Sequence, residues 1–499
     1  MPHIKLQARF QPLAVAAVWY PGAMYITLLC FALVGCEDSK GAADAGVADT
    51  ETDTDTDTDT DTDTETEVTW SNGISDIFQS NCVRCHASER FSSYAPLQTY
   101  AQVTETEQLA KIIQKIQFPP GWGTQMPPYP GGEITGTCEP ENAYSNDLRM
   151  SDADLSAVLD WVARGSPEGS GEAAEPLVAS EPGLLPAATE YPFDEGYVMT
   201  IGEDDDDGHR DDWICVIVDP GTLPGGRHLS GIQINSDVQQ VFRGAVVWLD
   251  KDRESLAYVQ ADSPRDHGDA WYDCDEGFGF EGDILAGFLP EGEPIVVPSG
   301  AAVEVPDDAL VVYKVHYHAH YDHVDPTDTG ELPAELEWPD QTSLSLQWED
   351  AASVSSAATL VSFGNYDTDA AGGTGSLTAP FLVPARTRDH LESMVALVPG
   401  TSDDTFAVWA VQPELGEAGT TVAVSVSDQS TGLEECLGTI PLYAASWQIP
   451  MTYDPSVGAP TVHGGDRLQL DCMYTNQGDS DLTLAEESCR AMVGLVPIE

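Results

Sequence analysis

Two short stretches of this 499-residue chain carry the residue types that most readily do chemistry. The stretch "NCVRCH", residues 81–86, holds two cysteines and a histidine in C-x-x-C-H spacing, and "KVHYHAHYDH", residues 314–323, holds four of the eleven histidines. Thiols can form thioether bonds to porphyrin vinyl groups, and imidazole nitrogens bind iron and copper. Each stretch must therefore be judged by the elements that position it.

The first stretch predicts covalent attachment of haem c. Cys82 and Cys85 would form the thioethers, and His86 would bind the iron as the proximal ligand. A disulfide or a redox C-x-x-C is the alternative, but it leaves His86 without a role. Met126, in the Pro/Gly-rich stretch "QMPPYPGG", is the predicted distal ligand, and Met150 is the alternative. Methionine ligation raises the potential of a haem, which favours electron transfer.

Two predicted helices bracket this motif. Apolar residues at helical spacing precede it in "ISDIF", residues 74–78. The second helix is predicted in "MSDADLSAVLDWVARGS", residues 150–166, with Ser151 and Asp154 as a capping pair and Gly165 as the stop. Between these helices the chain reads as a loop, so the elements form one small helical unit around the C-x-x-C-H motif.

On this motif and these helices, residues 69–170 resemble a class I cytochrome c domain. The resemblance implies a small all-α fold with one haem c, and it places Met126 at the family's Met-Pro position. A Pro/Ala/Glu-rich linker at 171–190 follows.

Beyond residue 190 the sequence predicts β-structure. Short runs rich in β-branched and aromatic residues, such as "WICVIV", "GAVVWL", "TFAVWAV" and "TVAVSV", are separated by Gly, Pro and Asp. The region is too long for one ordinary sandwich of about 100 residues. Two all-β domains are therefore predicted, at 191–335 and 336–499.

The β region resembles the copper type II, ascorbate-dependent monooxygenases, the group of the peptidylglycine α-hydroxylating and dopamine β-monooxygenases. The stretches that carry the resemblance are "DDWICVIVD", "WYDCDEGFG", "VPSGAAVEVPDDALVVYKVHYH", "GGDRLQLDCMYTN" and "EESC". It implies two consecutive jelly-roll-like β-sandwich domains, and disulfides Cys215–Cys274 and Cys472–Cys489. The predicted fold class is thus multidomain, with a small all-α cytochrome c domain followed by two all-β domains.

The resemblance also implies two copper sites, but the chain lacks most of their ligands. Only His316 matches a family histidine. The other five ligand positions are occupied by Arg243, Gly244, Glu414, Gly416 and Ser488. We therefore expect a β region that has lost its copper sites, so copper is a doubtful cofactor.

Strand alternation bears on the histidine-rich stretch itself. His316, His318 and His320 share one face if the strand "LVVYKVHYH" continues, about 6.5 to 7 Å apart along it. They can share a metal only if the strand bends or if Asp322 and His323 supply ligands from the following turn. A satisfied or solvent-facing histidine cluster is predicted, with a metal site at His316, His318 and His320 as the alternative.

The N-terminus predicts export and lipid anchoring. An apolar stretch at 13–35 ends in "LVGC", which resembles a bacterial lipobox with Cys36 as the lipidated residue; a membrane-spanning helix is the alternative. Residues 1–35 would be the signal peptide, and 36–68 a disordered tether, in which residues 50–67 alternate threonine with acid. The predicted location is the bacterial cell envelope, lipid-anchored at the outer membrane or the periplasmic face.

The net charge excludes one class of partner, and the predicted export determines which bonds the cysteines can form. A formal net charge of −64 argues against nucleic acid as a partner, and the acidic stretch "EDDDDGHRDD", residues 203–212, reads as a solvated loop. Export permits disulfides, and one between Cys138 and Cys436 is an option that the sequence leaves open.

The predicted function is haem electron transfer by a lipid-anchored c-type cytochrome, with a redox partner protein or a small-molecule electron donor. The alternative is a fused haem/copper monooxygenase, in which the haem supplies electrons to a metal centre in the β region.

Overall fold

A computed structural model gives the structure of the chain. It describes residues 68–498, with gaps at 89, 91–94, 118–125, 127–137, 139, 147, 149, 171–174, 194–196, 203–208, 222, 224–225, 263–270, 275–281, 291, 321–334, 365–380, 417, 441–449 and 484–487. The predicted signal peptide, the lipidation of Cys36 and the acidic tether lie outside the described residues, as do Asp322 and His323. No helix in the described ranges is long and apolar enough to cross a membrane.

Four short helices precede the β-structure. They are α1 (Ile74–Asn81), α2 (Tyr100–Thr104), α3 (Thr106–Ile116) and α4 (Asp152–Ala163). The predicted cap of α4 is confirmed, since the Asp154 N–H donates to Ser151 Oγ at 3.1 Å. The helix ends just before Gly165, whose φ of +83° suits a residue without a β-carbon.

The helices enclose a small aromatic core. The ring centroids of Trp70 and Phe78 are 5.4 Å apart, and those of Trp70 and Trp161 are 6.2 Å apart. The Trp161 Nε1–H donates to the Pro167 carbonyl at 2.9 Å, so the one polar atom of this side chain is satisfied. This core supports the turn that follows α1, where the C-x-x-C-H motif lies.

The rest of the described chain is mostly strand. It contains a fifth helix, α5 (Ser255–Asp262), and the strands β1 (Thr189–Pro192), β2 (Tyr197–Gly202), β3 (His209–Val218), β4 (Arg227–Asn235), β5 (Phe242–Asp250), β6 (Trp271–Asp273), β7 (Asp283–Phe288), β8 (Ile295–Val296), β9 (Ala301–Val305), β10 (Leu310–His320), β11 (Glu335–Asp340), β12 (Ser343–Glu349), β13 (Ser356–Gly364), β14 (Thr387–Leu397), β15 (Thr405–Leu415), β16 (Gly419–Ser427), β17 (Glu434–Ile440), β18 (Met451–Thr452), β19 (Thr461–His463), β20 (Arg467–Asn476) and β21 (Cys489–Pro497). The start of β3 shows that residues 209–212 are strand, so the solvated loop predicted there is wrong for those four residues.

One ten-stranded sheet runs through the β region. Its order is β1-β12-β4-β9-β13-β21-β15-β18, with β8 beside β4 and β19 beside β15. The parallel pairing of β9 with β13 joins its two halves. The five-stranded sheet β6-β3-β10-β5-β7 shares a buried apolar core with the first half, and the four-stranded sheet β14-β20-β16-β17 shares another with the second half.

Three disulfides connect these parts. Cys215–Cys274 links β3 to the residue after β6, and Cys472–Cys489 links β20 to β21, so both predicted pairings are confirmed. The third disulfide joins Cys138, between α3 and α4, to Cys436 in β17. It spans 298 residues of sequence and attaches the segment between the helices to the second half of the β region.

The predicted fold class is wrong. The described chain is 13% helix and 47% strand, and it shows no small all-α domain over residues 69–170. Three described residues between α3 and α4 contact the β region: Cys138 is bonded to β17, Tyr144 packs on Tyr453 at 5.2 Å, and the Asn146 side chain donates to the Pro450 carbonyl. In the β part, the ten-stranded sheet continues across both halves, and each half has its own apolar core.

Candidate functional site

The C-x-x-C-H motif occupies a tight turn at the end of α1. The Cys82 N–H donates to the Phe78 carbonyl at 2.9 Å, and the His86 N–H donates to the Cys82 carbonyl at 2.9 Å. This turn holds the thiol-bearing residues Cys82 and Cys85 and the imidazole of His86 within five consecutive positions. Local backbone hydrogen bonds therefore bring together the three residues that the sequence singled out.

The imidazole of His86 is oriented by the backbone. Its Nδ1 lies 3.0 Å from the carbonyl oxygen of Ala95, to which a protonated Nδ1 donates. Burial lowers the pKa of His86, although the hydrogen bond to Ala95 opposes that effect. A neutral ring with its proton on Nδ1 presents Nε2 as the nitrogen that can bind a metal, and such a second-shell carbonyl is usual for metal-bound histidine.

The thiol of Cys82 lies in apolar surroundings. Burial first, and the neighbouring Cys85 second, raise the pKa of Cys82 to about 12. Cys82 contacts the aromatic core of the helices, and so does the half-buried side chain of Met150. Met126, the other predicted distal ligand, is half-buried and donates its N–H at 3.2 Å to the carbonyl of Lys115, in the last turn of α3.

The histidines of β10 form a different arrangement. The strand continues to His320, so the predicted alternation of His316 and His318 on one face is confirmed, while the side chain of His320 lies outside the described part of the structure. Asp211 Oδ1 accepts from His316 Nε2 and from His318 Nδ1, each at 2.9 Å. One nitrogen of each imidazole thus contacts a carboxylate on β3 that the sequence had assigned to a loop, whereas the buried His316 Nδ1 has no hydrogen-bond partner among the described residues.

No metal cluster is formed by the parts of the chain that the structure describes. Within them, no group of three or more His, Cys, Asp and Glu side chains is arranged to hold an ion. At two of the positions where the monooxygenase resemblance implies copper ligands, Gly244 pairs with His316 across β5 and β10, and Glu414 pairs with Arg490 across β15 and β21. These described positions therefore carry a glycine and a glutamate where the resemblance implies imidazole ligands.

Comparisons with known proteins do not supply a family. No family model matches the chain, and no curated protein matches it. The predicted resemblance to a cytochrome c domain fused to a copper monooxygenase-like module is therefore wrong, because the described residues form no all-α domain and no family model matches.

Solved structures show only a distant likeness. The infectious bursal disease virus Gx strain structure is 7% identical, covering 64% of this chain and 75% of that chain, with a TM-score of 0.18. PNGF-II is 8% identical, covering 62% of this chain and 65% of that chain, with a TM-score of 0.25. Allantoicase is 10% identical, covering 57% of this chain and 77% of that chain, with a TM-score of 0.17. Scores this low carry no argument about fold or function.

Proposed function

We propose that the turn after α1 carries a covalently attached haem c and that the protein transfers electrons through it. Cys82 and Cys85 form the two thioethers, and His86 Nε2 is the proximal iron ligand. The observation that carries this proposal is the hydrogen bond from His86 Nδ1 to the Ala95 carbonyl at 3.0 Å, which holds the imidazole next to two thiols with Nε2 available.

The residues present fit such a group. The donor set is two thiols and a neutral imidazole in the attachment spacing, and the apolar core behind Cys82 provides a dry surface for a porphyrin face. When bound, a haem supplies one-electron chemistry at its iron. The residues of the chain attach the group, hold its proximal ligand and exclude water from one side of it.

The apolar environment of Cys82 argues against a redox-active dithiol at this C-x-x-C motif. In a dithiol oxidoreductase the attacking cysteine has a lowered pKa, because the thiolate is the reactive form. Burial instead raises the pKa of Cys82 to about 12, so the thiol stays protonated at neutral pH and is a poor nucleophile. A structural thioether has no need of an activated thiolate once it is formed.

The acidic charge of the chain suggests the kind of redox partner, and its N-terminal sequence suggests where the protein is located. A chain with 84 acidic and 20 basic residues favours a redox partner with a basic docking surface, since opposite charges accelerate encounter; a small-molecule electron donor is the other option. Lipid attachment at Cys36 in a bacterial cell envelope would hold the protein at a membrane surface, where such a partner is met.

The test is covalent haem content. The exported chain is produced in a host that matures c-type haem, and its mass and haem stain are recorded after denaturation. We expect one haem that survives denaturation in the wild-type chain and none in the variant Cys82→Ala with Cys85→Ala. The matched control, Cys138→Ser with Cys436→Ser, should keep its haem. A wild-type chain without covalent haem, or a haem that persists without Cys82 and Cys85, would overturn the proposal.

A further inference from the structure

Part of the predicted linker lies against the C-x-x-C-H turn. Residues 175–185, which we call the linker segment, belong to no helix or strand. Ala179 of this segment is buried in one apolar cluster with Val83, inside the motif, and Ala87, directly after it, and Leu177 packs on the same cluster. The linker segment therefore contacts the turn that carries the proposed haem.

The other end of the linker segment is attached to the β region. The Gly183 N–H donates to Glu293 Oε2 at 3.0 Å, and the Gly183 carbonyl accepts from Gln233 Nε2 at 2.8 Å. The Leu185 N–H donates to Gln233 Oε1 at 2.8 Å. Glu293 Oε1 also lies 3.7 Å from Arg84 Nη2 of the motif. The motif, the linker segment and the β region thus meet at Glu293.

Two large apolar side chains of the linker segment are held in solvent. Val178 is 70% exposed and Leu184 is 80% exposed. The Val178 carbonyl accepts from Gln79 Nε2 in α1 at 2.7 Å. Leu184 lies between Gly183 and Leu185, whose backbone groups bond the β region as described above. These bonds fix the backbone on both sides, so the exposure of Val178 and Leu184 is set by the fold.

A third exposed apolar side chain adjoins the linker segment. Val296 on β8 is 52% exposed and pairs with Gly231 on β4. The position that a β-carbon of Gly231 would occupy lies 2.7 Å from Leu185 Cδ1. Residues opposite each other in an antiparallel pair point to the same face, so Val296 lies beside Leu185. We call Val178, Leu184 and Val296 the apolar patch.

Acidic side chains border the apolar patch. Glu175, Glu181 and Glu293 are all exposed. The two arginines that pair with them contribute less to the surface, because Arg90, 2.7 Å from Glu181, is buried and Arg84 is half-buried. Exposed apolar side chains with a polar border are typical of an interaction surface. The exposed charge here is negative, which favours a basic partner.

We propose that the linker segment and Val296 form the docking surface for a basic redox protein. The proposal rests on the haem function proposed above, because the surface adjoins the C-x-x-C-H turn. The apolar patch becomes buried in the complex and supplies affinity, while the acidic border attracts the partner and accelerates encounter. One electron then passes between the redox centre of the partner and the haem iron, so one is oxidised as the other is reduced.

The test uses the full, haem-loaded chain, with a basic mitochondrial cytochrome c as the probe. Binding is measured by titration calorimetry and electron transfer by stopped-flow absorbance, at physiological ionic strength, which screens the diffuse acidic charge of the chain. We expect Val178→Ser with Leu184→Ser to weaken binding at least tenfold and to slow second-order electron transfer as much, because both side chains leave water on binding.

The matched control is Leu433→Ser with Val457→Ser. These side chains, in the second half of the β region, are 73% and 87% exposed, so the control removes the same residue types from a comparable environment. It should bind the probe as the wild type does. Equal binding by the wild type and by Val178→Ser with Leu184→Ser, or no binding by the wild type, would overturn the docking surface.

Salt and self-association test the kind of partner. Raising the ionic strength should slow association of the probe, and a rate that ignores salt would contradict a basic partner. The proposal would also be overturned if the chain formed a dimer in sedimentation that Val178→Ser with Leu184→Ser abolished, because a second copy would then cover the apolar patch.

Carbene footprinting of the wild-type chain covers the case in which a variant is misfolded. The probe should protect residues 175–185 and 293–296 from labelling and leave Leu433 and Val457 unprotected; the reverse pattern would refute the assignment. Footprinting and calorimetry do not require electron transfer. Protection of the linker segment without electron transfer would support the docking surface and contradict the haem function. Electron transfer that is unchanged in Val178→Ser with Leu184→Ser would contradict the surface and leave the haem function intact.

Discussion

Asp340 should make the stability of the β region depend on pH between about 4 and 7. This carboxyl, at the end of β11, is 1% exposed and accepts hydrogen bonds from the Thr342 backbone at 3.1 Å, from the Thr342 hydroxyl at 2.6 Å and from the hydroxyl of Tyr317. Burial first, and the hydrogen bond shared with Asp237 second, raise the pKa of Asp340 from 3.8 to about 7.

The sign and size of the effect follow from linkage. Between about pH 4 and pH 7 the folded chain keeps the Asp340 proton, while the unfolded chain releases it. The contribution of Asp340 to the free energy of unfolding is therefore greatest below about pH 4 and falls as pH rises to about 7. A raised pKa in the folded state is worth about 1.4 kcal/mol for each pH unit between the two pKa values. Asp340 thus accounts for a loss of about 4 kcal/mol.

The variant Asp340→Asn isolates this contribution. An amide keeps the shape, stays neutral and can donate to Asp237 as the protonated carboxyl does, so its own contribution does not change with pH. Urea unfolding followed by fluorescence, at several pH values from 4 to 8, should show equal stability near pH 4 and a variant more stable by about 4 kcal/mol near pH 8. Asp307→Asn, at an exposed position, is the control.

The reasoning would be refuted if Asp340→Asn and the wild type differed in the free energy of unfolding by the same amount at every pH from 4 to 8. It would mean that Asp340 is ionised in the folded chain at every pH tested. The three hydrogen-bond donors around it would then outweigh its burial, and the carboxylate would be a stabilising charge.

Three further predictions concern other parts of the chain. If Met126 is the distal haem ligand, Met126→Ala should remove the methionine–iron charge-transfer band and lower the reduction potential, whereas Met150→Ala should leave both unchanged; the opposite result would assign Met150. Removing the Cys138–Cys436 disulfide by double serine substitution should lower the free energy of unfolding by about 2 to 4 kcal/mol in denaturant titration. Arg227→Met should cost about 3 kcal/mol in the same assay, because the carbonyl oxygens of three residues lose their donor, and no loss would mean that water replaces the guanidinium.

Local sequence patterns predicted the features that depend on near neighbours. The C-x-x-C-H spacing brings Cys82, Cys85 and His86 into one turn because backbone hydrogen bonds there span only a few residues. The cap at Ser151 and the alternation of His316 and His318 follow from helical and strand periodicity in the same way. These features would survive in almost any fold that kept the same local elements.

Partners far apart in sequence could not be predicted. Asp211 meets His316 only because β3 pairs with β10, some hundred residues later, in one particular register. A register shifted by one residue would turn Asp211 to the other face of the sheet. The acidic composition around Asp211 indicated solvent instead, since nothing local distinguishes a strand end from a charged loop.

The sequence by itself determined which chemistry the chain can offer, namely two thiols and an imidazole in one turn and histidines on one face of a strand. Only the tertiary structure decided that the helices do not form a separate domain, that Cys138 bonds Cys436, and that the histidines face a carboxylate. The physical reason is that strand register and disulfide pairing depend on the burial of whole sheets against each other, and that burial is a property of the complete fold.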